Sequence, residues 1–298
     1  MPVTRSFSRS LLLLFSSAIL MLAGCSSSKP AATAETRVNE GYARAEKLYA
    51  KRDYATAAIT LESLIFTSRA TALEDDVLFL LAQSYYNTDQ YLLAADTFTR
   101  LLRQMPSSPY ARTAQFMVAK SYEQLSPFYE LDQQATSKAI EQYGIYLDQY
   151  PVKDSLRITG EVETYKELLK INPDNPSYKE SYAKAFSQYS RVDSVRYAAK
   201  AIPRLREKLA RNTISIARQY VKLGKLKAAE IFYDELIKRY SDTGLVHQAW
   251  SGKIDVLVKR KKWFDASQAL EQYLQLYPAK ESEMADVKGK IMQNLKNS

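Results

Sequence analysis

The 298-residue chain carries 42 lysines and arginines against 33 aspartates and glutamates, and combines 46% hydrophobic residues with only 8 glycines and 10 prolines. This balance supplies ample material for a core and argues against a sheet rich in tight turns. A single cysteine excludes a framework of internal disulfides, so stability must come from helix packing.

The chain opens on Arg5 and Arg9, an apolar run from Leu11 to Leu22, and the small residues Ala23 and Gly24 directly before Cys25. Residues 1–24 therefore read as a signal peptide that resembles the lipobox of bacterial lipoproteins, in which the cysteine becomes the lipidated, typically palmitoylated, first residue of the mature chain. The apolar run is shorter than the roughly 20 residues of a spanning helix. Removal of residues 1–24 takes away Arg5 and Arg9 and no acidic residue, lowering the net charge from +9 to +7. Export makes nucleic acid an unsuitable partner for that charge and leaves acidic protein or lipid. Residues 25–37, low in apolar bulk, read as a flexible tether.

A repeating frame follows. In the stretch from Asp89 to Pro106, Tyr91, Ala94, Phe98 and Leu101 mark one face of a helix closed by proline. The frame recurs as Tyr54, Ala57, Leu61 and Leu64; as Ala139, Tyr143 and Tyr146; as Leu226, Ala229, Tyr233 and Leu236; and as Trp263, Ala266, Leu270 and Tyr273. Twelve residues before four of the alanines stand Ala45, Ala82, Ala217 and Ile254. Each unit is thus predicted to be a helix pair, and the constant step of 37 from Ala57 to Ala94 and from Ala229 to Ala266 predicts constant stacking. The fold class expected is all-α: a tetratricopeptide-like superhelix of about five helix pairs, with repeats one to three over 38–151 and repeats four and five over 194–278.

Two departures interrupt the frame. In repeat three the spacing from Ala119 to Ala139 is 20 residues instead of 12, the excess falling in SPFYELDQQAT. Ser108-Pro109 reads as the cap and first turn of that repeat, Ser126-Pro127 as the end of its first helix and Asp132 as the cap of its second, with Phe128 and Tyr129 on an exposed loop. Residues 152–193 lose the frame and read as an inserted helical hairpin, with Asn175-Pro176 as a cap; a disordered linker is the competing reading. Arg196 to Val221 reads as one long helix with Leu205, Leu209, Ile216, Ala217 and Tyr220 on its apolar side, started or kinked by Pro203. The tail, 279–298, offers few residues for packing.

No catalytic constellation is visible. His247 has no second metal ligand at helical spacing, and no glycine-rich phosphate loop or nucleophile elbow occurs, so neither metal nor cofactor is expected. What remains is surface. Projecting the first helix of each early repeat turns Tyr42, Tyr49, Phe79, Tyr86, Phe116 and Glu123 toward the concave side, with Gln83, Asn87 and Lys120 beside them. An aromatic groove of this kind suits an extended peptide, above all one ending in an aromatic residue and a carboxylate, although the same rings also serve to pack neighbouring repeats. The later repeats project Arg211, Arg218, Lys222 and Lys259, a basic face for docking an acidic module or anionic lipid, or a solvated surface.

The lipobox, two repeats, the stretch from Ser108 to Pro151 with its SP…LDQ…T…AI pattern, and the stretch from Leu205 to Tyr240 together resemble the BamD family of outer-membrane β-barrel assembly lipoproteins. The resemblance covers residues 20–151 and 194–278. It implies a non-enzymatic scaffold anchored through Cys25 to the periplasmic face of the outer membrane. Its N-terminal repeats would receive the C-terminal signal of unfolded barrel proteins, and its C-terminal repeats would hold the periplasmic domains of a BamA-like barrel subunit among other assembly lipoproteins. Residues 152–193 exceed the family's connection, and Phe232 stands where the family carries an arginine. The rival expectations are a glycan-binding repeat lipoprotein stacking sugars on Tyr49, Phe79 and Tyr86, and an enzyme with its site in the insertion.

Overall fold

The computed structural model describes residues 33–152 and 154–296; the lipobox, Cys25 and most of the expected tether lie outside them. Among the described residues there are twelve α-helices and no strand. They are α1 (Ala34–Ala50), α2 (Tyr54–Glu62), α3 (Glu74–Asn87), α4 (Tyr91–Gln104), α5 (Ala111–Gln124) and α6 (Gln134–Gln149), then α7 (Ser155–Ile171), α8 (Pro176–Lys222), α9 (Leu226–Arg239), α10 (Val246–Lys259), α11 (Trp263–Leu276) and α12 (Ala285–Lys296). No helix among the described residues is long and apolar enough to cross a membrane.

Five antiparallel pairs, α1/α2, α3/α4, α5/α6, the C-terminal half of α8 with α9, and α10/α11, stack along the chain, each helix on its neighbour. The alanines of the frame explain the pairing. Ala45, Ala57, Ala82, Ala94, Ala119, Ala139, Ala217, Ala229 and Ala266 are fully buried, as is Ile254. A missing side chain at each crossing lets the backbones approach, and Phe98, Tyr143, Tyr146, Leu236 and Tyr273 fill the space alongside. Gly252 serves the same end: a Cβ there would lie 2.4 Å from the Tyr233 ring.

The turns repeat as faithfully as the helices. Arg52, Asp89, Gly224 and Lys261 all have positive φ, between 58° and 69°. The next residue in each case donates its N–H to a carbonyl five positions back: Asp53 to Leu48, Gln90 to Tyr85, Lys225 to Tyr220 and Lys262 to Leu257, at 2.9–3.0 Å. This is a Schellman-type closure of the first helix that aims the second back along it. Repeat three has none of it, which is where its longer loop enters.

Several sequence expectations are corrected in detail. The helix α1 begins at Ala34, its N-terminus capped by Thr33, so the last four residues of the expected tether are helical. Ser108-Pro109 forms a turn ahead of α5, which starts at Ala111, because the Ser108 hydroxyl is taken by Asp75 at 2.7 Å and by the Tyr110 N–H. Pro203 neither starts nor ends a helix; it lies inside α8, which runs unbroken for 47 residues, about 70 Å. On that helix Ile214 is buried and Ile216 only half-buried. The tail packs after all, Met284 and Ile291 joining the C-terminal core.

Asn175 caps α8 as expected, accepting from Ser177 and Tyr178, with Pro176 in the first turn. The front of α8 packs against α7 through Ile158, Val162, Ala185 and Val192, so residues 154–195 form a helical pair set beside the array.

Candidate functional site

Side chains from the first helices of successive repeats, α1, α3, α5 and then α8, meet one another across the repeats. Tyr42 sits against Glu46, Asp76 and Tyr110; burial first, then these carboxylates, raise its phenol above the ordinary range. Tyr110 donates to Asp76 at 2.5 Å, and that bond chiefly pushes its phenol up to about 12. Between α1 and α3, Asn87 Nδ2 donates to the Tyr49 hydroxyl at 3.0 Å and to the Gln83 carbonyl at 2.8 Å. From α5, Gln124 reaches the Tyr86 hydroxyl at 3.5 Å. Tyr49 and Tyr86 lie edge-on to Tyr54 and Tyr91. All four residues, Tyr42, Tyr49, Tyr86 and Tyr110, are half-buried, and each phenol is raised above its ordinary range, so it is neutral at physiological pH.

Other projected residues belong to the packing. Phe79 is stacked face to face with Tyr110 at 4.3 Å and edge-on to Phe98. Phe116 is surrounded by Tyr143, Tyr146 and Tyr197. Lys120 lies over the Tyr197 ring at 4.9 Å. Glu123, which replaces the tyrosine found at its position in repeats one and two, has a side chain only 9% exposed. It accepts from Tyr143 at 2.5 Å, from Tyr197 at 3.1 Å and from Arg204, tying α5, α6 and α8 together. A carboxylate at a tyrosine position was the sequence signal for this cluster, and it pointed inward instead of to solvent.

The eight-residue excess of repeat three forms a loop latched to α8. Lys208 Nζ donates to the Ser126 hydroxyl at 2.8 Å and the Pro127 carbonyl at 2.9 Å, and Asn212 to the Tyr129 carbonyl at 2.7 Å. Within the loop Gln133 donates to the Phe128 and Leu131 carbonyls and accepts from Thr136, whose hydroxyl also meets Ser126. Asp132 accepts from the Gln134 N–H at 2.7 Å from one position outside the helix, whose N-cap is Gln133 where Asp132 was expected. Phe128 is left 61% exposed. Between loop and helix lie two adjoining clefts of about 640 and 530 Å³ that share Tyr129 and Arg211; Arg218 and Lys222 line the larger. The structure therefore brings Arg211, Arg218 and Lys222 together. Lys259 does not line either cleft and is paired with Asp255 on its own helix at 2.6 Å.

No group of three or more metal-ligating side chains occurs among the described residues, and the His247 ring lies edge-on to Tyr277 at 6.5 Å. Residues 76–108, α3 with α4 and their flanks, match the family model described as tetratricopeptide repeat. The fold is tetratricopeptide-like. Similar solved structures include a tetratricopeptide repeat protein from Parabacteroides merdae, at 15% identity over 87% of this chain and 99% of that one with a TM-score of 0.33. Another is the TPR2AB domain of yeast Sti1 in complex with pHSP90, at 18% identity over 86% and 98% with a TM-score of 0.31. No curated protein matches the chain. Tetratricopeptide-like arrays are protein-interaction scaffolds that bind partner proteins on extended concave surfaces, generally without chemistry of their own.

Proposed function

We propose that this chain is a lipid-anchored, non-enzymatic scaffold of outer-membrane β-barrel assembly, tethered through Cys25 to the periplasmic face of that membrane. The observation that carries the reading is the third repeat. The residues by which the sequence resembles the BamD family, Ser126-Pro127, Leu131-Asp132-Gln133 and Thr136, are the ones that build the loop and latch it to α8. Their pattern has a structural purpose in this chain, and that supports the reading.

In this reading the strip of Tyr42, Tyr49, Tyr86 and Asn87 receives the extended C-terminal segment of an unfolded barrel protein, with Phe79, Phe116 and Lys120 setting its shape from beneath. The basic half holds the periplasmic domains of a BamA-like subunit. Phe232, where the family has arginine, stacks on Tyr220 at 5.4 Å and leaves the cations of α8 to make that contact. A glycan surface needs open ring faces, and Phe79 gives one of its faces to Tyr110. Depletion of the protein should lower the steady-state level of outer-membrane β-barrel proteins; unchanged levels would overturn the reading.

A further inference from the structure

Several cations of this basic chain are neutralised by partners, and Arg218 and Lys222, which line the α8 wall of the cleft, are not; other lysines without an ion pair among the described residues, such as Lys261 and Lys262, line neither cleft. Arg204 is paired with Glu123, Arg206 with Asp242, Lys253 with Asp234 and Arg260 with Glu230. Lys208 is committed to the loop. By contrast Arg211 reaches only Glu207, at 3.8 Å, and Arg218 is bound to the neutral Gln248 at 2.8 Å. Neither Arg218 nor Lys222 has an ion pair among the described residues. The carboxylates lining the two clefts are Glu130 and Glu207, against Arg204, Lys208, Arg211, Arg218 and Lys222.

Spacing sets the form of the complement. Arg211, Arg218 and Lys222 lie seven and four residues apart on one face of α8, which at 1.5 Å per residue is about 10 and 6 Å along the axis. An extended chain advances about 3.4 Å per residue, so these steps are spanned by about three and then two residues; because side chains alternate along a regular strand, an irregular extended segment is what sets all three carboxylates toward α8. At the other end of the cleft Phe128, 61% exposed beside Tyr129, offers an aromatic platform.

We propose that the cleft between the repeat-three loop and α8 is a docking groove for an extended, acidic peptide segment of a partner protein, with an aromatic residue anchored at Phe128 and carboxylates on Arg211, Arg218 and Lys222. The proposal rests on the scaffold reading for its partner and deepens it: what enters the cleft is a linear segment of the docked partner, and Lys259, which does not line the cleft, takes no part. Charge complementarity is its warrant. The clefts favour a peptide over a bilayer, because a narrow segment can enter between the loop and α8 where a headgroup surface cannot.

The test uses the full chain in detergent micelles and a short fluorescein-labelled peptide with one phenylalanine followed by three aspartates set three and then two residues apart with alanines between them, read by anisotropy. Saturable binding is expected, weakened by rising ionic strength and lost when the aspartates become asparagines. Arg218→Glu, and Arg211→Glu with Lys222→Glu, should each weaken it about tenfold or more, the milder Arg218→Gln less, and Lys259→Glu not at all. Equal losses from Lys259→Glu, or undiminished affinity in the cleft variants with unchanged helicity, would overturn the groove. So would phosphatidylglycerol vesicles that bind through the same residues and displace the peptide. The scaffold reading is judged separately, by copurification of a barrel subunit with the unaltered chain.

Discussion

At the scale of single residues the decisive group is Glu123. Its carboxylate is the shared acceptor for the Tyr143 and Tyr197 hydroxyls and for Arg204, and Tyr143 is fully buried. Glu123→Ala leaves the Tyr143 hydroxyl without its acceptor and should cost about 1–3 kcal/mol by chemical denaturation, with Glu123→Gln, which keeps an oxygen there, costing less. A pH-dependent counterpart lies at Asp242, whose carboxyl is held below its ordinary range, chiefly by hydrogen bonds from Arg206. A depressed carboxyl stabilises the fold above the unfolded aspartate value of about 3.9, and that contribution is lost as pH falls through the folded value. Asp242→Asn should therefore cost about 0.5–1 kcal/mol at neutral pH, and the difference in melting temperature should close as the pH drops below about 4. The pair of Arg206 and Asp242 was not legible in the sequence, and of the Glu123 cluster only the carboxylate at a tyrosine position was. Glu123 and Arg204 are 81 residues apart, and nothing in a periodic pattern reports which polar residues a crossing of three helices will enclose.

At the scale of elements the sequence was far more informative. Alanines at the helix crossings and the aromatics beside them were legible from spacing alone, because a packed interface needs a small residue at each closest approach and a large one next to it. The left-handed turn was not. Only Gly224 announces it, while Arg52, Asp89 and Lys261 adopt the same positive φ without glycine, overruled by the helix pair they join. Gly224→Ala should cost about 1–2 kcal/mol, measurable as a lower denaturation midpoint with unchanged helicity. Pro203 shows the opposite failure. Local rules place a break there, yet the buried series Ala198, Ala201, Leu205 and Leu209 holds α8 to one course through it.

At the scale of the molecule the array has three consecutive apolar clusters: α1 to α5, then α5, α6 and the middle of α8, then α8 to α12. The long α8 belongs to two of them and to the inserted pair, so it fixes the N-terminal strip and the basic cleft in one frame. The candidate site was legible as residue types, since aromatics projected to one face and cations to another. It was legible as geometry only in part, because Phe79 and Phe116 pack inward and Lys259 pairs locally. Sequence periodicity gives the face of a helix; it does not give the depth at which a neighbouring repeat closes over that face. The scaffold claim is met most directly by affinity purification of the tagged full chain from detergent-solubilised envelope. The account predicts that a BamA-like barrel subunit copurifies in near-stoichiometric amount. Recovery of the intact, helical chain without any barrel subunit would contradict it.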